Sequence, residues 1–216
     1  MIAAGVEAVN VYGPAAWHAY RPTDAELTAY YDTLLKGLRC PVALAPLPIL
    51  GYMPKASLLA DICRRHSHVI AVNLSGVPDS YFIEMKAAVN RDIQYYVPLA
   101  GSFNTLSLGA AGLMSAEAHI APRTLTRYLE LFSSGGGEEL NRHYSDLTRV
   151  TQYLSQWNTS PVRWVKMAMK AFKMPGGEGG LREPYRNAGP AELKSFVDGL
   201  LALNMPEIDD QARAAG

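Results

Sequence analysis

The sequence predicts an α/β protein built on a parallel β-sheet, followed by a helical C-terminal region. Over residues 1–132, short apolar runs alternate with longer amphipathic segments. This alternation is typical of βα units whose strands are covered on both faces. From Ser133 onward the strand-type runs stop and only helical periodicity remains. We therefore expect about five βα units over 1–132 and a helical region packed on them over 133–216.

Each element follows from its residue pattern. The strand candidates are apolar runs bounded by glycine, proline or polar residues: Val6–Tyr12, Pro41–Leu47, His68–Leu74, Ile93–Leu99 and Gly112–Ser115. The helix candidates carry apolar residues at helical spacing: Leu27–Leu38 after a cap at Thr23, Pro54–Arg65, Pro78–Asn90, a short helix through Leu106, Pro122–Phe132, Glu138–Trp157, Pro161–Lys173 and Pro190–Leu203. We expect Pro175–Gly180 to be a mobile connection and the polar tail from Pro206 to fray.

Composition excludes several classes of protein. Twenty basic residues balance twenty acidic ones, which argues against a nucleic-acid partner. Cys40 and Cys63 form no CxxC pair, so neither a disulfide framework nor a cysteine-based zinc module is expected. The sequence shows no signal-type leader and no stretch of about 18 apolar residues, which predicts a cytoplasmic protein without a membrane partner.

Four sequence blocks then occur in a characteristic order. They are GVEAVNVYGP (5–14), CPVALAPLP (40–48), GAAGLMSAEAHIAP (109–122) and PVRWVKMAMKAFKMPGGEGGLREP (161–184). Together they resemble the dihydrodipicolinate synthase / N-acetylneuraminate lyase family of class I aldolases over essentially the whole chain. The resemblance implies a TIM-type (β/α)8 barrel with extra C-terminal helices, in which a lysine forms a Schiff base with a small keto acid. It also implies an oligomeric assembly and no cofactor.

By this resemblance the chain begins at the fourth strand of the family. The three preceding βα units, with the Thr-Thr turn that binds carboxylates, have no counterpart in it. Five strands remain, in agreement with the number counted from the residue pattern alone. A closed barrel needs eight strands. A partial barrel leaves two open edges of an apolar sheet, so we expect the isolated chain to be poorly soluble or oligomeric.

The positions that the family uses for catalysis are altered here. The resemblance places the Schiff-base lysine at Asn73, whose amide nitrogen is not a nucleophile. It places the proton-transferring tyrosine at Ala45 and the substrate-binding arginine at Leu50. The Thr-Pro-Tyr-Tyr motif after the fourth strand reads Gly13-Pro14-Ala15-Ala16. No catalytic residue of the family is retained, which argues against Schiff-base chemistry.

Other polar residues follow the strands. The candidates for substrate binding are Asn73, Ser75, Gly101, Ser115, Glu117 and His119. Glu117 and His119 have the residue types for acid–base chemistry, although a structural role is the favoured interpretation. Gly101 and Ser102 open a helix and could bind an anion or simply cap the helix.

Two further patterns have competing interpretations. His66 and His68 have the spacing of metal ligands, yet surface contacts explain them as well, and we expect no metal. Trp17, His18 and Tyr20 follow the first strand and could line a ligand site, contact a subunit or only pack the loop.

Two functions remain open from the sequence. The first is a lyase, of aldolase or dehydratase type, that acts on 2-keto acids. The second is a catalytically inactive paralogue or truncated gene product that binds a small acid or an active homologue. A keto acid, a second copy of the chain or a homologue are the expected partners.

Overall fold

Five parallel β-strands form a sheet in the computed structural model, in the order β1-β2-β3-β4-β5. They are β1 (Val9–Tyr12), β2 (Val42–Ala45), β3 (Val69–Asn73), β4 (Gln94–Val97) and β5 (Gly112–Leu113). Each strand pairs in parallel with the next one along the chain. The structure describes residues 5–16, 20–157 and 161–216, without the side chains of residues 161 and 162. The five predicted strands and their parallel arrangement are confirmed.

Helices connect consecutive strands: α1 (Asp24–Lys36), α2 (Ala56–Arg65), α3 (Asp79–Val89) and α4 (Ser102–Ser107). Helix α1 begins with a capping box, in which the Thr23 hydroxyl accepts from the Glu26 N–H and the Glu26 carboxylate accepts from the Thr23 N–H. The helices cover one face of the sheet with a shared apolar core, which includes Val11, Leu27, Tyr31, Leu44, Leu59, Ile62, Val72, Phe82, Met85 and Tyr95.

The chain divides into two compact units, Met1–Met114 and Ser115–Gly216. The second unit begins with a 3₁₀ turn, Ala116–His119, and continues with helices α5 (Pro122–Ser134), α6 (Gly137–Ser155), α7 (Pro161–Ala171), α8 (Pro190–Leu201) and α9 (Pro206–Ala215). Its buried residues include Tyr128, Leu147, Val150, Phe196 and Leu200. The predicted boundary between residues 132 and 133 lies within this unit, close to the junction of α5 and α6, and stays a prediction.

The C-terminal tail differs from its prediction. It folds as α9 instead of fraying, with Pro206 in the first turn, where a missing N–H costs no helical hydrogen bond. Glu207 and Ile208 are buried. The expectation was wrong because the tail is stabilised by contacts distant in sequence: the Glu207 carboxylate accepts from the backbone N–H groups of Arg123 and Thr124.

Within the described residues, no helix has the length and apolar character needed to cross a membrane.

Candidate functional site

The carboxyl ends of the strands carry a row of side chains on the sheet face opposite the helices. Val72 belongs to the helix-facing core, so its neighbour Asn73 points to the other face, because side chains alternate along a strand. Tyr95 and Tyr96 alternate in the same way, and Asn73 is in register with Tyr96. At the edge of the sheet, Tyr12 is in register with Ala45. The row therefore consists of the phenols of Tyr12 and Tyr96, the amide of Asn73 and the methyl group of Ala45.

Asn73 is buried at the end of β3, with only 3% of its surface exposed. Its Oδ1 accepts hydrogen bonds from the Ser75 backbone N–H (3.1 Å) and from the Ser75 hydroxyl (2.7 Å). Since a backbone N–H can only donate, these contacts fix the orientation of the amide. The Asn73 Nδ2 lies 2.8 Å from the sulfur of Met114 and donates to it. Sulfur is a weak acceptor, so this donor can exchange it for a better one.

None of the five described strands carries a lysine. The lysines of the first unit, Lys36, Lys55 and Lys86, lie on or next to the helices α1, α2 and α3. Lys55 pairs with Asp24 at 2.5 Å, and Lys86 donates to the Leu108 carbonyl at 2.8 Å. The structure thus places no amine at the described strand ends, where the resemblance expects one.

In the loop after β1, Gly13 has no space for a side chain. An added Cβ there would lie 2.6 Å from the Tyr52 hydroxyl oxygen and 3.1 Å from that of Tyr31. Both hydroxyls are buried and have no hydrogen-bond partner among the described residues. Burial, and less strongly Tyr30, raise the pKa of Tyr52 to about 12, so it stays a neutral phenol. A threonine at this position would require both tyrosines to move.

Ser115, Glu117 and His119 belong to the second unit, where they lie around the 3₁₀ turn. The Ser115 hydroxyl donates to the Glu117 carboxylate, and Thr151 on α6 donates to it at 3.1 Å. His119 Nδ1 lies 2.9 Å from the Ala116 carbonyl oxygen. The structure therefore brings Ser115 and Glu117 together and shows a local structural contact for His119.

The remaining candidates have structural contacts. Gly101 has a positive φ of 76° and precedes α4, which is only six residues long. His66 lies 2.7 Å from an Asp32 carboxylate oxygen and packs edge-on against His68. No group of three or more potential ligands for a metal occurs among the described residues.

In the loop after β1, Tyr20 donates to the Glu26 carboxylate. The expectations for Trp17 and His18 concern positions outside the described residues.

Comparison with known proteins identifies the relatives of this chain. YagE of Escherichia coli K12, provisionally named a 2-dehydro-3-deoxy-D-gluconate aldolase, is 24% identical over 204 residues, which are 91% of this chain and 66% of YagE. The 4-hydroxy-tetrahydrodipicolinate synthase of Clostridium tetani is 26% identical over 184 residues, 80% of this chain and 58% of the synthase. The crystal structure of YagE in complex with pyruvate, described as a dihydrodipicolinic acid synthase family protein, superposes with a TM-score of 0.81 at 20% identity and covers 94% of this chain and 68% of YagE. The relatives and structural neighbours of this chain are thus dihydrodipicolinate synthase family and YagE aldolase proteins. No family model matches it.

The relation to the dihydrodipicolinate synthase family confirms the predicted fold class. The structural neighbours are TIM-barrel proteins, and the five-stranded parallel sheet with its helices is consistent with a partial barrel. The chain spans about two thirds or less of the length of the curated relatives that it matches.

Sequence reasoning does not identify two residues that lie next to Asn73. The residue pattern places Tyr96 and Met114 in the predicted strands Ile93–Leu99 and Gly112–Ser115 and assigns neither of them to the site. The alternation of β4 contained the signal for Tyr96, since Tyr95 and Tyr96 must face opposite sides. The contact of Met114 with Asn73 joins residues 41 positions apart, and no local pattern predicts it.

Proposed function

We propose that this chain binds a small 2-keto acid at the carboxyl ends of its β-strands without forming an imine to it. The observation that carries the proposal is the buried Asn73 at the position that the resemblance assigns to the Schiff-base lysine. An amide can donate a hydrogen bond to a carbonyl or carboxylate oxygen, but it cannot attack a carbonyl carbon. Relatedness to a synthase and to a protein solved with pyruvate supports the choice of ligand.

The contacts of Asn73 suit such a ligand. Its Oδ1 is held by Ser75, so the Nδ2 group is the part free to change partners. Its present acceptor, Met114, has a flexible side chain that is 40% exposed. A carboxylate that displaces the Met114 sulfur would exchange a weak acceptor for a strong, charged one.

A lyase reaction on 2-keto acids is the second candidate. Sequence relatedness to an aldolase and a synthase favours it. It requires another group to activate the keto acid, because no lysine lies on the described strands.

Borohydride trapping and binding measurements separate the two candidates. We expect pyruvate to raise the melting temperature of the wild-type chain, while reduction with borohydride followed by intact-mass analysis shows no covalent adduct. Asn73→Ala should abolish the thermal shift. Asn10→Ala is the matched control, since Asn10 is an amide on β1 that contacts Tyr12 and not Asn73.

A covalent adduct on any lysine of the wild-type chain would refute the proposal that the chain forms no imine. A thermal shift that survives in Asn73→Ala would overturn the assigned role of Asn73. No response of the wild-type chain to pyruvate or to other 2-keto acids would refute the binding function itself.

We further propose that the chain associates with a second copy or with a homologue. Among the described strands, β1 and β5 each pair on one side only. Their other edges present unpaired backbone donors and acceptors that another chain can use.

A further inference from the structure

A small pocket in the second unit is lined by three cationic side chains of one helix. Arg163, Lys166 and Lys170 lie on α7 at spacings of three and four residues, so they share one side of the helix. The opposite wall is formed by the glycine-rich loop after α7 together with Asn187. This pocket shares no residue with the strand-end site, so its ligand is independent of the proposed keto-acid binding.

The loop approaches α7 more closely than a side chain would allow. An added Cβ on Gly177 would lie 2.4 Å from the Met169 carbonyl oxygen. That carbonyl accepts from the Met174 N–H at 2.8 Å, and the Met174 carbonyl accepts from the Gly177 N–H at 2.9 Å. These bonds hold the backbone of the loop as one wall of the pocket.

Asn187 closes the loop from its other end. Its Oδ1 accepts from the Leu181 N–H at 2.8 Å. The orientation of the amide is thereby fixed, with the NH₂ group beside Gly180, where an added Cβ would lie 2.7 Å from Nδ2. The pocket therefore presents an amide donor in addition to its cationic side chains.

The charges of the pocket are incompletely neutralised. Arg163 is paired with Glu192 at 2.6 Å. Lys166 donates to the Gly176 carbonyl at 3.3 Å and has no carboxylate partner among the described residues. Lys170 makes no hydrogen bond or ion pair through its ammonium group within the described part of the chain, and Glu178 is the one acidic residue in the described lining. Two lysines with free donor capacity thus face a single carboxylate.

The volume of the pocket limits the size of its ligand. It measures about 100 Å³, well above the roughly 10–15 Å³ that one water molecule needs. It is also smaller than the roughly 300–1,000 Å³ of sites that hold drug-sized ligands. We propose that this pocket binds a phosphate-sized oxyanion, either free phosphate or the phosphate group of a small metabolite. Ammonium groups and an amide NH₂ are donors that suit its oxygens.

Phosphate titration of the full chain tests the site. Isothermal titration calorimetry with sodium phosphate, at an ionic strength held constant with chloride, should show saturable binding. Lys166→Gln/Lys170→Gln should raise the Kd at least about tenfold, since both charged donors are lost. Lys36→Gln/Lys194→Gln changes the net charge equally on α1 and α8, outside the lining of the pocket, and should leave the Kd unchanged.

The outcomes separate the proposal from unspecific binding. An equal loss of affinity in both double variants, or no phosphate binding above the chloride background, would overturn it. Should the double variant fail to fold, Lys170→Gln alone replaces an exposed side chain and must still weaken binding. Glycerol phosphate that binds more tightly than free phosphate assigns the site to phosphorylated metabolites, and weaker binding assigns it to free phosphate; both agree with the proposal.

Discussion

Replacing Glu207 tests how the second unit is held together. Glu207 is 5% exposed, and its carboxylate accepts three hydrogen bonds from the start of α5. They come from the Arg123 N–H (2.7 Å), the Thr124 N–H (2.8 Å) and the Thr124 hydroxyl (2.7 Å). Helix α5 has no side-chain cap of its own, because Ala121 occupies the N-cap position. Glu207 therefore performs from α9 the capping that a serine or aspartate usually performs locally.

The contacts set the size of the expected effect. Glu207→Ala leaves two backbone N–H groups without their acceptor, and an unsatisfied buried donor costs roughly 1–3 kcal/mol. The ion pair with Arg123 adds little, because that guanidinium is 66% exposed. We expect Glu207→Ala to lower the free energy of unfolding by about 3 kcal/mol. Glu207→Gln keeps one acceptor oxygen and should cost about half as much.

Urea unfolding followed by circular dichroism measures this difference. Asp210→Ala is the control, since Asp210 lies on the same helix and pairs with Arg123 at 2.7 Å while 46% exposed. An exposed pair of this kind contributes at most about 1 kcal/mol. If Glu207→Ala destabilises the chain no more than Asp210→Ala, then capping of α5 by α9 is not a significant source of stability.

Two further predictions concern the first unit and the assembly. Hydrogen bonds from Tyr20, and then from Thr23, lower the pKa of Glu26 to about 2. Its folded-state pKa thus lies below the unfolded value of about 4.3, so its stabilisation is complete above about pH 5 and is lost as the pH falls towards 2. The difference in urea midpoint between wild type and Glu26→Gln should shrink over that range, and a difference that stays constant down to pH 2 would contradict the assignment. The edges of β1 and β5 that pair with no other described strand predict that the 23.5 kDa chain elutes as an oligomer from a calibrated sizing column. A monomer at micromolar concentration would refute the proposed association.

The positions of the strands were predictable from sequence, whereas their lengths were not. The second strand was expected over Pro41–Leu47, but the ladder extends only over Val42–Ala45. Pro41 and Pro46 flank the observed strand, and proline has no N–H to donate to a neighbouring strand. An apolar run indicates which residues are buried, and buried residues extend beyond the last hydrogen bond of the strand. Pro46, for example, is buried although it lies outside β2.

Helix α9 was not predicted, and the reason is different. Its sequence is polar and rich in alanine, and Ile208 is its one large apolar residue. Its stability comes from residues more than 80 positions away, through the bonds from Glu207 to Arg123 and Thr124. The residue pattern of a short segment does not predict contacts with residues that are so distant in sequence. The same limit applies to Asn73. The sequence predicts its place at the end of a strand but not its contact with Met114.

The two faces of the sheet are subject to different constraints. The helix-facing residues Val11, Leu44 and Val72 are packed against the helices, where a change of volume is destabilising. Under the proposed function, the opposite face at Asn73 is constrained by the ligand that it binds instead of by helix packing. At Gly13, the space that a threonine side chain would need adjoins the Tyr31 and Tyr52 hydroxyls. A lysine at residue 73 alone would therefore supply an amine nucleophile and leave the surroundings of Gly13 unchanged.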